Sequence, residues 1–173
     1  GSTAYAATAY LSINKNDALA TGDAAVFNST HPTSSVINLG SNVGTNGDSG
    51  TGNMICYAFA AVEGFSSFGT YEGNSSADGT FIYTGFRPAW IVLKEMDNAD
   101  DWVIYDTKRD PINIADTVLR MDSNASEYSG SGREIDILSN GFKMRTSNAT
   151  INASNTFLYL AFAEFPFKYA NAR

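Results

Sequence analysis

Short apolar runs rich in Val, Ile, Phe, Tyr and Trp alternate along this chain with clusters of Gly, Ser, Thr, Asn and Asp. The clusters recur about every ten residues, and little between them has a helical period. That rhythm predicts an all-β fold, an antiparallel sandwich of the jelly-roll or concanavalin-like kind. The clearest unit runs Pro88-Ala89-Trp90-Ile91-Val92-Leu93-Lys94, a polar loop from Asp97 to Asp101, then Trp102-Val103-Ile104-Tyr105-Asp106. It reads as a hairpin, and because both arms are apolar at successive positions, both faces of each strand should be covered. A second unit runs Arg133–Leu138, a turn Ser139-Asn140-Gly141, then Phe142–Arg145. The Asn-Gly pair predicts a tight turn with positive φ. Alternation places Phe142 and Met144 on a core face and Lys143 and Arg145 opposite. Further strands are predicted at 8–13, 35–39, 53–62, 81–86, 117–121 and 156–164, with loops at 41–52, 72–79, 107–116 and 122–132.

The end of the chain repeats its beginning. Cys56-Tyr57-Ala58-Phe59-Ala60 matches Tyr159-Leu160-Ala161-Phe162-Ala163, and Leu11-Ser12-Ile13-Asn14-Lys15-Asn16 matches Leu119-Arg120-Met121-Asp122-Ser123-Asn124. Between these pairs, Ile37 and Leu39 fall near Phe142 and Met144 on the same alternation. Residues 1–64 therefore resemble residues 109–167, whereas 65–108, with both tryptophans, has no counterpart in the first part. The pattern predicts a partial β unit at 1–64 and a complete sandwich unit at 65–173, possible as one continuous domain. A partial unit cannot close its own core and must pack on the complete unit or on a neighbouring chain.

Composition narrows the chemistry. With 173 residues, 43% hydrophobic and 17% charged, the chain can bury a core without staples. A net charge of −7 with 11 scattered basic residues argues against nucleic acid and anionic membrane surfaces. No apolar run approaches the ~20 residues of a membrane-spanning helix, so no membrane insertion is expected. The opening Gly1-Ser2-Thr3-Ala4-Tyr5 lacks the pattern of a signal peptide. Cys56 is the one cysteine, which excludes an intrachain disulfide, and its apolar neighbours predict a buried core thiol. His31 is also alone, so a zinc site built on His and Cys is excluded, and no metal or cofactor is expected.

Three acidic groups invite a functional reading. Glu134-Ile135-Asp136-Ile137-Leu138 mimics the Glu-x-Asp-x-Glu strand of retaining β-glucanases, but a retaining enzyme needs two carboxylates, one nucleophile and one acid/base, flanking the sugar bond, and the third position here is Leu138. The proton donor is missing, and the strand reads as a solvated face. Asp97-Asn98-Ala99-Asp100-Asp101 offers oxygens to calcium without the spacing of a calcium loop, and hairpin loops need such residues anyway. Asp106, Asp110 and Asp116 sit among Lys108 and Arg109, where local salt bridging is expected. No catalytic residue is assigned.

Aromatic supply is more informative. Sugar binding on a sandwich uses a ring for stacking with Asn, Asp or Arg for hydroxyls. Candidate contacts outside the most apolar runs are Tyr71, Tyr128 and Tyr169, with Asn74, Asp78 and Asn124 in loops. Trp90 and Trp102 are assigned to core. Asn-x-Ser/Thr sequons occur at Asn28, Asn74, Asn124, Asn148 and Asn152, and chance suffices for them in a chain this rich in those residues.

Several segments resemble one family. They are Ala60–Gly69 (AAVEGFSSFG), Asp78–Trp90 (DGTFIYTGFRPAW), Ile135–Lys143 (IDILSNGFK) and the ending Ala161–Arg173 (AFAEFPFKYANAR). All are similar to C-terminal repeat modules of tail-fibre-like structural proteins of tailed, especially marine, bacteriophages. Ala61 stands where such modules carry an acid, as Glu164 does in the later match. The resemblance implies a non-enzymatic virion tail component, extracellular and concerned with host attachment. Its expected partners are copies of itself, as a homotrimer, other tail proteins and a host-surface glycan or protein. Loops 70–79 and 122–132 are expected to meet the host surface. The alternatives are a lectin-like carbohydrate-binding module and a polysaccharide depolymerase.

Overall fold

Strands at Ser66–Glu72 (β1), Phe81–Tyr83 (β2), Pro88–Glu95 (β3), Val103–Asp106 (β4), Leu119–Arg120 (β5), Ile135–Leu138 (β6), Gly141–Met144 (β7) and Thr156–Ala163 (β8) carry the fold. Of three one-turn helices, Ala24–Phe27 (α1) and Val43–Asn46 (α2) precede β1, and Ala149–Asn152 (α3) lies between β7 and β8. This computed structural model describes residues 5–47 and 53–164. The chain divides into two compact units. One comprises the chain up to Ser12 with Leu19–Phe59, and the other comprises Ile13–Ala18 with the chain from Ala60 onward.

The second unit is an antiparallel β-sandwich. One sheet has the order β1-β8-β3-β4-β5 and the other β2-β7-β6. Ile91 and Leu93 of β3, Val103 and Tyr105 of β4 and Phe157, Tyr159 and Ala161 of β8 pack with Ile82 of β2, Ile135 and Ile137 of β6 and Phe142 and Met144 of β7. Phe142 meets Tyr159 edge-on at 5.8 Å and so joins the two sheets. Edge-to-face contact suits the ring quadrupoles. Tyr105 is fully buried and donates its hydroxyl to Arg133 O at 2.8 Å.

The predicted 88–106 hairpin is present, with Trp90 opposite Asp106 and Leu93 opposite Val103. Residues 91–95 are buried at every position, because β3 has neighbours on both edges and cover on both faces. Ile13–Ala18 supplies part of the second cover. Asn16 O accepts from Lys94 Nζ at 3.2 Å and from Asp100 N–H at 2.8 Å, and Lys15 O accepts from Trp102 Nε1 at 3.1 Å. Burial is the main force holding the Lys94 ammonium below the ordinary lysine range, against the pull of Asp100 and Glu95. Trp102 is core as expected, whereas Trp90 is only half-buried.

The 133–145 hairpin also forms, with Phe142 and Met144 inward. Its turn differs from expectation. Leu138 pairs with Gly141, so Ser139 and Asn140 make the turn, and neither Asn140 nor Gly141 has positive φ. Gly141 is required for space instead. A Cβ there would lie 2.1 Å from Ile82 O on the neighbouring β2.

Several predicted strands are corrected. Residues 8–13 hold only a bridge from Tyr10 to Ala20, and 35–39 and 53–61 form no strand. The predicted strand at 81–86 stops at Tyr83 and is followed by Gly85 at φ 82. That at 117–121 shortens to Leu119–Arg120. In turn, β1 was not expected, because Ser66-Ser67-Phe68-Gly69-Thr70 has little apolar alternation. It is held by pairing to β8 from Ser66↔Phe162 to Glu72↔Thr156. Cys56 is exposed, correcting the buried-thiol reading, because no sheet takes up the run around it.

The first unit is thinly cored. Asp23 caps α1 by accepting from Ala25 N–H, and Asn42 caps α2 by accepting from Gly44 N–H. Gly40 N–H donates to Val26 O, and Asn42 N–H to Ala25 O. Among the described residues Val26 is the one buried apolar side chain of this unit.

Candidate functional site

The predicted contact residues separate in space. Tyr71 is core, not surface: it is 7% exposed, stacks on Phe157 at 5.0 Å and donates its hydroxyl to Ile151 O at 2.7 Å. It lies on β1, whose inward positions carry the sandwich core, and burial holds its phenol well above the usual tyrosine range. The expected surface loop 70–79 is corrected accordingly, since its first residues belong to β1. Tyr128 is half-buried, with the Arg133 guanidinium 4.8 Å from its ring centre and its hydroxyl donated to Ser131 O at 2.6 Å. That ring face is therefore occupied by a cation. Asn124 is exposed. Tyr169 lies outside the described residues.

Asn74 and Asp78 are brought together in one built loop. Asn74 Nδ2 donates to Asp78 O at 3.1 Å, and Asn74 Oδ1 accepts from Ser76 N–H at 3.1 Å. Beneath the loop lies Asn152, fully buried on α3. Its Nδ2 donates to Asn74 Oδ1, Ser76 O and Thr146 O at 3.0, 2.8 and 2.7 Å, while its Oδ1 accepts from Asn74 N–H at 3.1 Å. Backbone groups add Ser75 N–H to Asn152 O at 2.7 Å and Gly73 N–H to Asn155 O at 3.0 Å. Two glycines allow this close approach. A Cβ on Gly73 would lie 1.9 Å from Ala153 O, and one on Gly79 2.5 Å from Met144 Cβ. Side chains at the loop surface are thus presented from a fixed backbone. Asp78 pairs with Lys143 Nζ at 2.6 Å, and this hydrogen bond and charge, helped by Arg145, hold its carboxyl below the usual range.

Beside that loop lies a surface the sequence reading passed over. Ile82 of β2 points into the core, so Phe81 and Tyr83 point out, and they are 43% and 66% exposed. Across the sheet, Phe81 is level with Lys143 and Asp136, and Tyr83 with Gly141 and Leu138. Two aromatic rings, a glycine position and a row of opposite charges share this outer face. The signal was the Phe-Ile-Tyr alternation, obscured by treating the whole run 81–86 as strand. Rings of this kind stack on sugar faces or apolar side chains, and neighbouring charges hydrogen-bond hydroxyls.

The acidic groups are engaged in structure. Glu134 Oε2 accepts from Gly132 N–H at 2.9 Å, and Asp136 pairs with Arg145 at 3.3 Å. Asp97 accepts from Thr156 N–H at 2.7 Å, and Asp101 pairs with Arg120 at 2.7 Å and Arg133 at 3.5 Å. The expected local bridging is found at Asp106, which pairs with Arg109 Nε at 2.6 Å. Asp110 accepts from the N–H groups of Asp116 and Thr117 at 3.0 and 2.7 Å. Among the described residues no three His, Cys, Asp or Glu side chains gather as metal ligands. Of the sequon asparagines, Asn152 is fully buried and Asn148 caps α3. No helix among the described residues is long and apolar enough to cross a membrane.

No curated protein and no solved structure matches this chain. One family profile spans residues 2–166, taking in both the thinly cored first unit and the sandwich. The chain therefore belongs to the family described as a domain of unknown function (DUF7483).

Proposed function

We propose that this chain is a non-enzymatic structural and adhesive module of a bacteriophage tail, part of a tail fibre or tail tip. In this reading it works outside the cell as a homotrimer, joined to other tail proteins, and it touches a glycan or protein of the host surface. The observation that carries the adhesive part is the exposed Phe81–Tyr83 pair beside a loop pinned by fully buried Asn152. A rigid face with rings and polar groups binds weakly without ordering cost, and copy number multiplies the effect. The engagement of Glu134, Asp136 and Asp101 in structural contacts supports holding rather than bond cleavage. The tail assignment is supported by the sequence resemblance. Electron microscopy of intact virions with antibody against this chain tests it. Label at the tail is expected, and label on the capsid or on no virion overturns it.

A second reading, a lectin-like module outside a phage, is favoured by the same rings. A glycan array with virion labelling discriminates the two readings: saturable glycan binding lost in Tyr83→Ala, with no virion label, would favour the lectin. The depolymerase reading predicts reducing sugar released from host capsule and lost in Glu134→Gln and Asp136→Asn.

A further inference from the structure

The two sheets of the sandwich have four edges, and among the described residues three of them are blocked. At the β6 edge the Asn113 amide engages the N–H and C=O of Ile137 at 2.9 and 3.0 Å, and Ala115 exchanges both backbone hydrogen bonds with Ile135 at 2.9 Å. Beside β5, Val118 and Tyr128 exchange theirs at 2.8 and 3.0 Å. At β1, Val62 exchanges with Ser66 at one end, and Thr80 Oγ1 donates to Glu72 O at 2.6 Å at the other. The β2 edge has no such block. Met144 N–H donates to Thr80 O at 3.1 Å, and Thr84 N–H to Asn140 O at 3.0 Å. Alternate residues of an antiparallel ladder turn to the partner strand, so Thr80, Ile82 and Thr84 turn to β7. The N–H and C=O groups of Phe81 and Tyr83 therefore point to the open side. Among the described residues no hydrogen bond reaches these four groups. The usual guards of an edge are missing too, because β2 reads Phe-Ile-Tyr, without Lys, Pro or a bulge.

We propose that β2 pairs antiparallel with β2 of a second copy of this chain, about a two-fold axis through Ile82. The open groups are self-complementary in this arrangement. Phe81 of each copy exchanges both hydrogen bonds with Tyr83 of the other, and none of the groups is left over. Two three-stranded sheets become one of six strands, with Ile82 still in its own core. On the outer face Phe81 lies beside Tyr83 of the second copy, a favourable cross-strand aromatic pair. The charges agree. Lys143 and Asp136 are level with Phe81, whereas Gly141 and Leu138 are level with Tyr83. Each charged half-row is thus continued by an uncharged one, and the Lys143 side chains of the two copies fall in different rows. The chain carries its own matching strand, which selects a second copy over an unrelated peptide. This two-fold contact stands independently of the three-fold assembly and the host contact proposed above.

Three residues make a small contact, so the pairing should depend on concentration. Sedimentation of the whole chain between about 10 µM and 1 mM should show the particle mass doubling. Phe81→Pro removes an edge-facing donor without removing a bond to β7, a place where a strand tolerates proline. It deletes two of the four hydrogen bonds and both ring pairs, and should weaken the doubling roughly 100-fold. Phe81→Ala loses the same rings and keeps the donor, so it should weaken the doubling only about 10-fold. Thermal melts establish that each variant is folded. A mass that never doubles overturns the proposal. So does equal weakening by the two variants, which assigns the contact to the rings alone, and so does a doubling that neither variant touches, which assigns it to another surface. If Phe81→Pro does not fold, amide exchange in the parent decides. Exchange at Phe81 and Tyr83 should slow about 10-fold from dilute to concentrated protein, with β6 unchanged. Equal exchange at both concentrations overturns the pairing.

Discussion

Asn152 grips Asn74 at two points: its Oδ1 accepts the Asn74 N–H at 3.1 Å, and its Nδ2 donates to Asn74 Oδ1 at 3.0 Å. With Ser76 O and Thr146 O also on Nδ2, the buried amide ties the loop after β1 to the end of β7. Asn152→Ala strands the Thr146 carbonyl in a dry site and removes the loop's inner support. We expect a loss of about 3 kcal/mol, from several hydrogen bonds and at least one unsatisfied buried group. For a chain of this size that lowers Tm by very roughly 10 °C, read by calorimetry. Amide exchange at Asn74 and Ser75 should accelerate with it. Asn152→Asp keeps the acceptor but turns a carboxylate oxygen toward the acceptor oxygens of Asn74, Ser76 and Thr146 in a buried site, so it should cost at least as much as Asn152→Ala.

Gly141 tests the packing of β2 on β7. Its φ is ordinary, so the case rests on space alone: a Cβ would overlap Ile82 O and crowd the Phe81 ring at 3.1 Å. Gly141→Ala should cost about 2 kcal/mol, measured by urea unfolding. The effect should appear as a displaced β2, with faster exchange at Phe81–Tyr83. Gly130→Ala offers a contrast. Nothing lies within 4 Å of the added Cβ there, and the cost comes from φ 122 alone.

The acid limb of stability should carry a signature of Asp106. Partial burial pushes its carboxyl up, but the N–H groups of Arg109 and Lys108 and the Arg109 guanidinium outweigh that, leaving it below the ordinary value. A carboxyl lower in the folded than in the unfolded chain stabilises fully above the unfolded value of about 3.9. The contribution is then lost as pH falls through the folded value. Asp106→Asn should therefore be less stable than the parent at pH 7, and the gap should close as the pH drops below about 4. Urea melts at a series of pH values between about 2 and 7 measure it. A gap that stays constant would mean that shape, not charge, holds the 106–109 turn.

Legibility followed how local each signal was. The β3–β4 and β6–β7 hairpins were readable because their strands carry apolar runs or clean alternation on both sides of a short polar loop. Strand β1 was not, because Ser66, Ser67, Gly69 and Thr70 owe their strand state to β8, a pairing across some ninety residues. The run around Cys56 failed the other way. Its sequence is that of a central strand, but strand state also needs two neighbours, and pattern alone does not report whether they are present. At the candidate site, Asn74 and Asp78 were legible as loop polar residues. Tyr71 was misplaced, because Ser, Thr and Gly beside it masked an inward-facing position. Phe81 and Tyr83 were missed because strand β2 is only three residues long, too short for its alternation to stand out.

The sharpest functional prediction contrasts two tyrosines twelve residues apart. Tyr83 projects from the outer face with no core role, so Tyr83→Ala should leave Tm unchanged within error. If the face is adhesive, losing one stacking ring worth about 0.5–1.5 kcal/mol weakens each contact roughly 2- to 12-fold. Multivalent display raises that loss further, because the weakening enters once per engaged copy. Tyr71→Phe does the reverse. It deletes the 2.7 Å hydrogen bond to Ile151 O and keeps the ring on Phe157, costing about 1 kcal/mol and leaving adhesion intact. Cell-binding assays with labelled protein, run beside thermal melts on the same preparations, separate the two effects. Equal adhesion in Tyr83→Ala and parent would remove the outer face of the three-stranded sheet as the contact surface, and would direct the search to the 122–132 loop and exposed Asn124.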